Sequence, residues 1–165
     1  MYKVSLAIPI YNVSLFVERA LLSVLNQTYD NIEYLIVDDK GQDDSMDIVH
    51  RIIKDHPRGK DVRIIEHPYN IGLGATRNTA IDNAQGEYLF FMDSDDEIIP
   101  TCIEILVHKM QEHPVDFIAA SHMKKDLSGK TYPTYTYSPI LIQGDDLPVA
   151  QYRYAQNNDI YVMSW

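Results

Sequence analysis

Asp93, Asp95 and Asp96 put three carboxylates within four residues, directly after the unbroken apolar run Tyr88, Leu89, Phe90, Phe91 and Met92. Carboxylates gathered without a counter-ion repel one another and take up protons, so a hard divalent cation is the simplest way to keep them charged. These residue types point to Mg²⁺ or Mn²⁺ held by Asp95 and Asp93. Two residues of strand cover about 6.6 Å, whereas two oxygens on one such cation lie about 3 Å apart. The chain must therefore bend at Ser94, or one carboxylate must reach the metal through water. Mg²⁺ keeps several waters and shares its shell with substrate phosphates, so a diphosphate suits a protein site this sparse. Asp93, Asp95, Glu97 and Glu104 also have EF-hand spacing, but Ile98 stands where that loop needs Gly. A solvated acidic loop is the other reading of the motif, and its place after an apolar strand argues against it.

Such a run suits a central strand buried on both faces of a mainly parallel sheet, and ligands bind beyond the carboxyl ends of those strands. Val4, Leu6, Ile8 and Ile10 alternate with smaller residues in a first strand, with Pro9 confined to its end and residues 9–12 forming a loop. Val13, Phe16, Val17, Ala20, Leu21, Val24 and Leu25 recur at helical spacing. Residues 34–37 are a second apolar strand ending in Asp38 and Asp39, so two strands deliver acids to one sheet edge. Asp43, Asp44 and Ser45 give N-cap chemistry to a second helix carrying Ile48, Val49, Ile52 and Ile53. A third strand follows at 62–65, and the loop 70–74 opens a helix that reaches residue 84. Gly72 and Gly74, with Arg77 one turn in, suit a phosphate, because free N–H groups and the helix dipole both favour anions. They suit an ordinary turn and a surface ion pair equally well. Pro100 fits the first turn of a helix reaching residue 112, and residues 116–121 read as a strand.

Beyond residue 122 the composition changes. Residues 124–130 are turn-like, and Tyr132, Pro133, Tyr135, Tyr137 and Pro139 form an irregular aromatic segment that covers a core edge or stacks on sugars. Residues 147–157 read as helix. The apolar run 160–165 closes the chain inside what should be a buried element, which implies a further C-terminal portion. The expected organisation is a core over 1–122, followed by a second region, 123–165, that is cut short.

At 165 residues, 45% hydrophobic and 23% charged, the chain has the composition of one soluble globular domain. A formal charge of -10 and a pI of about 4.8 argue against nonspecific nucleic-acid binding. The same charge would repel an anionic nucleotide, which a bound cation offsets. The single Cys102 excludes an intrachain disulfide and fits a reducing compartment. The six His are scattered singly, so zinc is not indicated, and no apolar run is long enough to span a bilayer.

Residues 7–12 (AIPIYN), 22–28 (LSVLNQT), 36–39 (IVDD) with Asp43 and Ser45, 70–78 (NIGLGATRN) and 86–96 (GEYLFFMDSDD) occur in order and at fixed spacing. Together they closely resemble family 2 glycosyltransferases. The resemblance implies an α/β GT-A fold, a Rossmann-like, mainly parallel sheet flanked by helices on both faces. It implies transfer of a sugar, with inversion, from a nucleotide-diphosphate donor to the hydroxyl of a saccharide or lipid-linked acceptor, a UDP-sugar being the favoured donor. By the same resemblance Pro9 and Tyr11 wall the nucleobase, Asp39 accepts a base N–H, and Arg77 and Gly74 lie near the base or diphosphate. Asp93 and Ser94 approach the ribose or a metal-bound water, and Asp95 holds the Mg²⁺ or Mn²⁺.

The pattern is broken where Lys40, Gly41 and Gln42 replace a common Gly-Ser-Thr. The family's general base comes from a later acidic motif, expected beyond Trp165, so this chain alone is expected to bind donor with little or no turnover. The resemblance also implies a bacterial polysaccharide pathway and a place in the cytoplasm or at the inner face of the membrane. Two other readings are a non-catalytic nucleotide- or sugar-binding module and a sugar-nucleotide pyrophosphorylase. The second would carry a Gly-rich, basic loop where Pro9, Ile10, Tyr11 and Asn12 stand. A haloacid-dehalogenase-type phosphatase places its D-x-D after the first strand and does not fit.

Overall fold

A computed structural model describes residues 1–118, 120, 122–126 and 128–135. The chain divides into two compact units, Met1–Val115 and Asp116–Trp165. The first holds four strands, β1 (Val4–Ile10), β2 (Ile32–Asp38), β3 (Val62–Glu66) and β4 (Tyr88–Phe91). All pair in parallel, in the order β3-β2-β1-β4. Its helices are α1 (Val17–Leu25), α2 (Ser45–Asp55), α3 (Leu73–Asn83) and α4 (Cys102–Glu112).

Alternation in β1 decides how the layers form. Leu6, Ile8 and Ile10 join Tyr34 and Ile36 of β2 in a core with Val17, Leu21 and Val24 of α1, Val49 of α2, and Ile103 and Val107 of α4. On the other face the smaller Ala7 meets Leu35, Val37 and Ala80 of α3. Successive strand residues point to opposite faces, so large and small residues in turn build a thick three-helix layer and a thin one-helix layer. Helices thus cover both faces, as the motifs implied. Thr76 and Ala80, the buried residues of α3, are short enough to let that helix lie close to the sheet.

The strand expected at the centre is not there. β1 and β2 are buried along their whole length, whereas every residue of β4 is half-buried. Among the described residues β4 is the last strand of the sheet and pairs with β1 alone. Its continuous apolar run reflects packing on both faces, which an outermost strand between helices also needs.

Pro9 lies inside β1 rather than in a loop after it. Odd residues of β1 turn their backbone groups toward β4, as Ala7 O does in accepting Met92 N–H at 3.0 Å, and even ones toward β2, as Ile10 O does for Asp39. The pairing with β4 ends at Ala7, so the N–H that Pro9 lacks would have pointed past the end of that strand. Pro100 also moves: it precedes Thr101, the N-cap of α4, and stands outside the helix.

The second unit contains an antiparallel pair, β5 (His122–Lys125) and β6 (Thr131–Tyr135). The turn expected at 124–130 is narrower. Asp126 Oδ1 accepts from Ser128 N at 2.9 Å and Lys130 N at 3.0 Å, closing the turn after β5 and leaving Lys124 and Lys125 to pair. Tyr132, Pro133 and Tyr135 belong to β6 instead of an irregular segment, and the described residues within 116–121 are not strand. The expected helix at 147–157, the final apolar run, Tyr137 and Pro139 lie outside the described residues.

Candidate functional site

The chain builds β1, β2 and β3 in one direction across the sheet and then returns to place β4 on the other side of β1. That reversal is a topological switch point, and open parallel sheets bind ligands in the crevice beyond their strand ends at such a point. The loops bordering it follow β1, with Tyr11 47% exposed, and β4, with Asp93 and Asp95. Pro9 is buried in the strand rather than at the surface.

After β4 the chain bends at Ser94, one of the two outcomes that the spacing of the acids left open. Asp96 N–H donates to Asp93 O at 3.1 Å, closing a turn through Ser94 and Asp95. Met92 and Ser94 are buried and hold the turn down, while Asp93, Asp95 and Asp96 are exposed. Arg77, one turn into α3, donates from Nη2 to Asp93 Oδ1 at 2.6 Å and lies over the Phe91 ring at 6.0 Å. Asp95 makes no hydrogen bond or ion pair with any described residue. Among the described residues no three His, Cys, Asp or Glu side chains converge as a metal set.

Asp39, just past β2, is 2% exposed and has four donors. Its Oδ1 accepts from His67 Nδ1 at 2.8 Å and Ile71 N at 2.9 Å. Its Oδ2 accepts from Asn70 Nδ2 at 2.8 Å and Gly72 N at 2.9 Å. Burial pushes the carboxyl's pKa up, but the Ile71, His67 and Gly72 donors together outweigh it and hold the pKa below its usual value. A carboxylate has about four acceptor positions, and the loop before α3 occupies them. A base N–H that reaches Asp39 must displace one of these donors. His67 continues inward, its Nε2 lying 2.9 Å from Thr79 Oγ1 of α3.

That loop ends at Gly72, whose φ of 88° is a conformation open to glycine at little cost. Gly74 has no such need: a Cβ built there meets nothing within 4 Å, so open space adjoins the first turn of α3.

The loop after β1 is tied to the start of α2. Asp43 Oδ2 accepts from Ser14 N at 2.8 Å, its Oδ1 from Ser45 Oγ at 2.5 Å, and Ser45 Oγ accepts from Val13 N at 2.8 Å. Burial raises the Asp43 pKa, but the Ser45 hydroxyl and the Ser14 and Ser45 N–H groups overcome it, bringing it to about 2. Lys40 has a φ of 55°, a conformation in which glycine is the usual choice. Its Nζ turns to Glu66 at 2.7 Å and Asp38 at 3.2 Å.

The structure therefore brings Tyr11, Gly74, Arg77, Asp93, Ser94 and Asp95 to one end of the sheet, where Asp39 is buried just past β2. Asp39 and Asp95 share that edge but are separated by β1, which puts the strand tips about 10 Å apart. Sequence reasoning missed His67, which directly follows β3. It also missed the bonding of Ser23, Gln27 and Thr28, polar residues at the end of an amphipathic helix.

Residues 5–159 match the description of glycosyl transferase family 2. The chain belongs to that family. This family member is 32% identical over 151 residues to an uncharacterized glycosyltransferase of Haemophilus influenzae, covering 88% of this chain and 59% of that protein. It is 37% identical over 129 residues to the Escherichia coli UDP-Glc:alpha-D-GlcNAc-diphosphoundecaprenol beta-1,3-glucosyltransferase WfaP, covering 76% and 49%. The chain thus spans less than two thirds of the length of either relative. S. aureus TarS 1-349, solved in complex with UDP, superposes with a TM-score of 0.64 at 26% identity, over 80% of this chain and 38% of that one. The mannosyltransferase PcManGT from Pyrobaculum calidifontis, solved with GDP-Man and Mn2+, has the same fold, with a TM-score of 0.63 at 24% identity over 69% and 34%. The family 2 chain has the GT-A fold of these glycosyltransferases.

Proposed function

We propose that this family 2 chain carries the nucleotide-sugar and metal site of an inverting glycosyltransferase whose general base lies outside residues 1–165. The observation that carries the reading is Asp95. It is exposed and bonded to no described residue, on a tight turn beside an Asp93 that Arg77 already holds, at the sheet's switch point. A free carboxylate of this kind suits Mg²⁺ or Mn²⁺, and a diphosphate and water would complete so small a protein contribution. Bound there, the cation supplies charge stabilisation for the departing diphosphate.

This chain's own residues bind and orient. Tyr11 offers a ring to the nucleobase, and Asp39 fixes the loop beside it, meeting a base N–H if Asn70 yields its place. The open first turn of α3 at Gly74 admits a phosphate, where unpaired N–H groups favour an anion. Arg77 serves both Asp93 and the incoming diphosphate, and Ser94 keeps the turn buried at its middle. The donor-binding core is assigned to residues 1–122, with 123–165 beginning the acceptor side. The acceptor is a saccharide or lipid-linked hydroxyl, a reading that the name of WfaP supports. Among the described residues no helix is long and apolar enough to cross a membrane. The proposed setting is the cytoplasm or the inner face of the membrane.

Calorimetric titration with UDP, GDP, CDP and dTDP, each with and without Mn²⁺, tests the assignment. Metal-dependent binding with a preference for UDP is expected. Equal affinity for all four bases would remove Asp39 and Tyr11 from base recognition.

A further inference from the structure

The acid turn stands in solvent, yet both of its ends are tied to buried structure. At the near end Met92 N–H donates to Ala7 O at 3.0 Å, extending the β1–β4 ladder by one residue. At the far end Ile98 N–H donates to Ser23 Oγ at 3.2 Å, and the Ser23 hydroxyl spends its own proton on Ala20 O at 2.8 Å. One turn further along, Gln27 is 2% exposed, with both of its amide hydrogens and its amide oxygen bonded. Its Nε2 donates to Ser23 O at 2.9 Å and Ile99 O at 2.8 Å, and its Oε1 accepts from Ile103 N at 3.0 Å. Thr28 N–H adds a bond to Pro100 O at 2.8 Å. Thr101, the N-cap of α4, makes no side-chain cap, so Gln27 satisfies a first-turn N–H of α4 from across the interface.

The end of α1 therefore grips the chain at Ile98, Ile99, Pro100 and Ile103, immediately after the carboxylates. A core contact could have been made by apolar side chains without the cost of burying an amide. Directional bonds at both ends fix the span between them, and a metal pair is sensitive to displacements of a few tenths of an ångström.

Building on the donor-site reading above, we propose that Ser23 and Gln27 are positioning residues for the metal-binding turn. They touch neither metal nor donor. They set where Asp95 stands relative to Asp93, and through it the part of diphosphate affinity that depends on the cation.

The test is titration of UDP with and without Mn²⁺ into the chain and into Ser23→Ala, Ser23→Thr and Gln27→Met. Ser23→Ala and Gln27→Met are expected to reduce the Mn²⁺-dependent gain in affinity about tenfold, with metal-free affinity within about twofold of the parent. Ser23→Thr, which keeps the hydroxyl, is expected to restore the gain. Ala is the best helix former, so Ser23→Ala decides the matter even if Gln27→Met fails to fold. An unchanged Mn²⁺-dependent gain in cooperatively folded Ser23→Ala would overturn the positioning role while leaving the donor site intact. No gain in the parent chain would remove the donor-site reading, and this proposal with it.

Discussion

Arg77 Nη2 donates to Asp93 Oδ1 at 2.6 Å, joining the first turns of α3 to the turn after β4. The Arg77 side chain is 17% exposed and that of Asp93 49%. A cation held from below thus fixes a carboxylate that opens to solvent, and the pair marks the border between framework and ligand. Arg77→Lys is expected to weaken UDP binding about as much as Arg77→Ala, because an ammonium has no planar fork to serve two partners. A double-mutant cycle of Arg77→Ala with Asp93→Asn should give a coupling of about 0.5–3 kcal/mol in metal-dependent affinity. Additive losses would mean that the pair is incidental.

Asp39 is predicted to matter for stability before it matters for binding. Asp39→Asn turns an amide NH₂ toward donors already in place, and should cost about 2–3 kcal/mol. Hydrogen exchange should quicken first at the Ile71 and Gly72 amides, which donate to this carboxylate. Uniform exchange change across the sheet would argue against a local clasp.

The pH dependence has a definite sign. Asp43 has a folded-state pKa of about 2, against about 3.9 for an unfolded Asp. Its contribution is fully present above the unfolded value and disappears as pH falls through the folded one. Asp39, also lowered, acts in the same direction. Stability from chemical denaturation should therefore fall between about pH 4 and about pH 2. Asp43→Asn should flatten that fall while lowering stability at neutral pH, and an unaltered profile would remove Asp43 from the account.

Two glycines two residues apart should behave oppositely. Gly72→Ala forces a side chain into a φ of 88° and should destabilise by about 1 kcal/mol. Gly74→Ala meets no neighbouring atom and replaces a poor helix former, so stability should rise by up to about 1 kcal/mol. If phosphate occupies the space beside Gly74, the same methyl should weaken diphosphate binding. Stabilisation with unchanged affinity would show that the space is not used.

Periodicity made much of this legible. The alternation in β1 marked it as a strand with a larger and a smaller face, though not how many helices cover each, and the acids ending two apolar runs foretold a shared edge. Strand order was hidden, because a run such as residues 88–92 looks alike at the centre of a sheet and at its margin. The bend at Ser94 was one of two outcomes that the carboxylate spacing allowed, whereas the four donors on Asp39 were not legible at all. Three of them belong to residues 67–71 and one to Gly72, and only the fold reveals that this loop turns back over β2. The hairpin of β5 and β6 was missed because Lys124 and Lys125 read as turn, while Asp126 accepts the bonds that close it.

The most direct test is calorimetry of UDP binding with and without Mn²⁺ for the parent chain and Asp95→Ala. The parent should bind UDP at least tenfold more tightly with Mn²⁺, a difference of about 1.4 kcal/mol. Asp95→Ala should lose that gain while keeping its fold and its metal-free affinity. Binding that ignores Mn²⁺, or a gain that survives Asp95→Ala intact, would contradict the assignment of a metal-assisted donor site to this edge of the sheet.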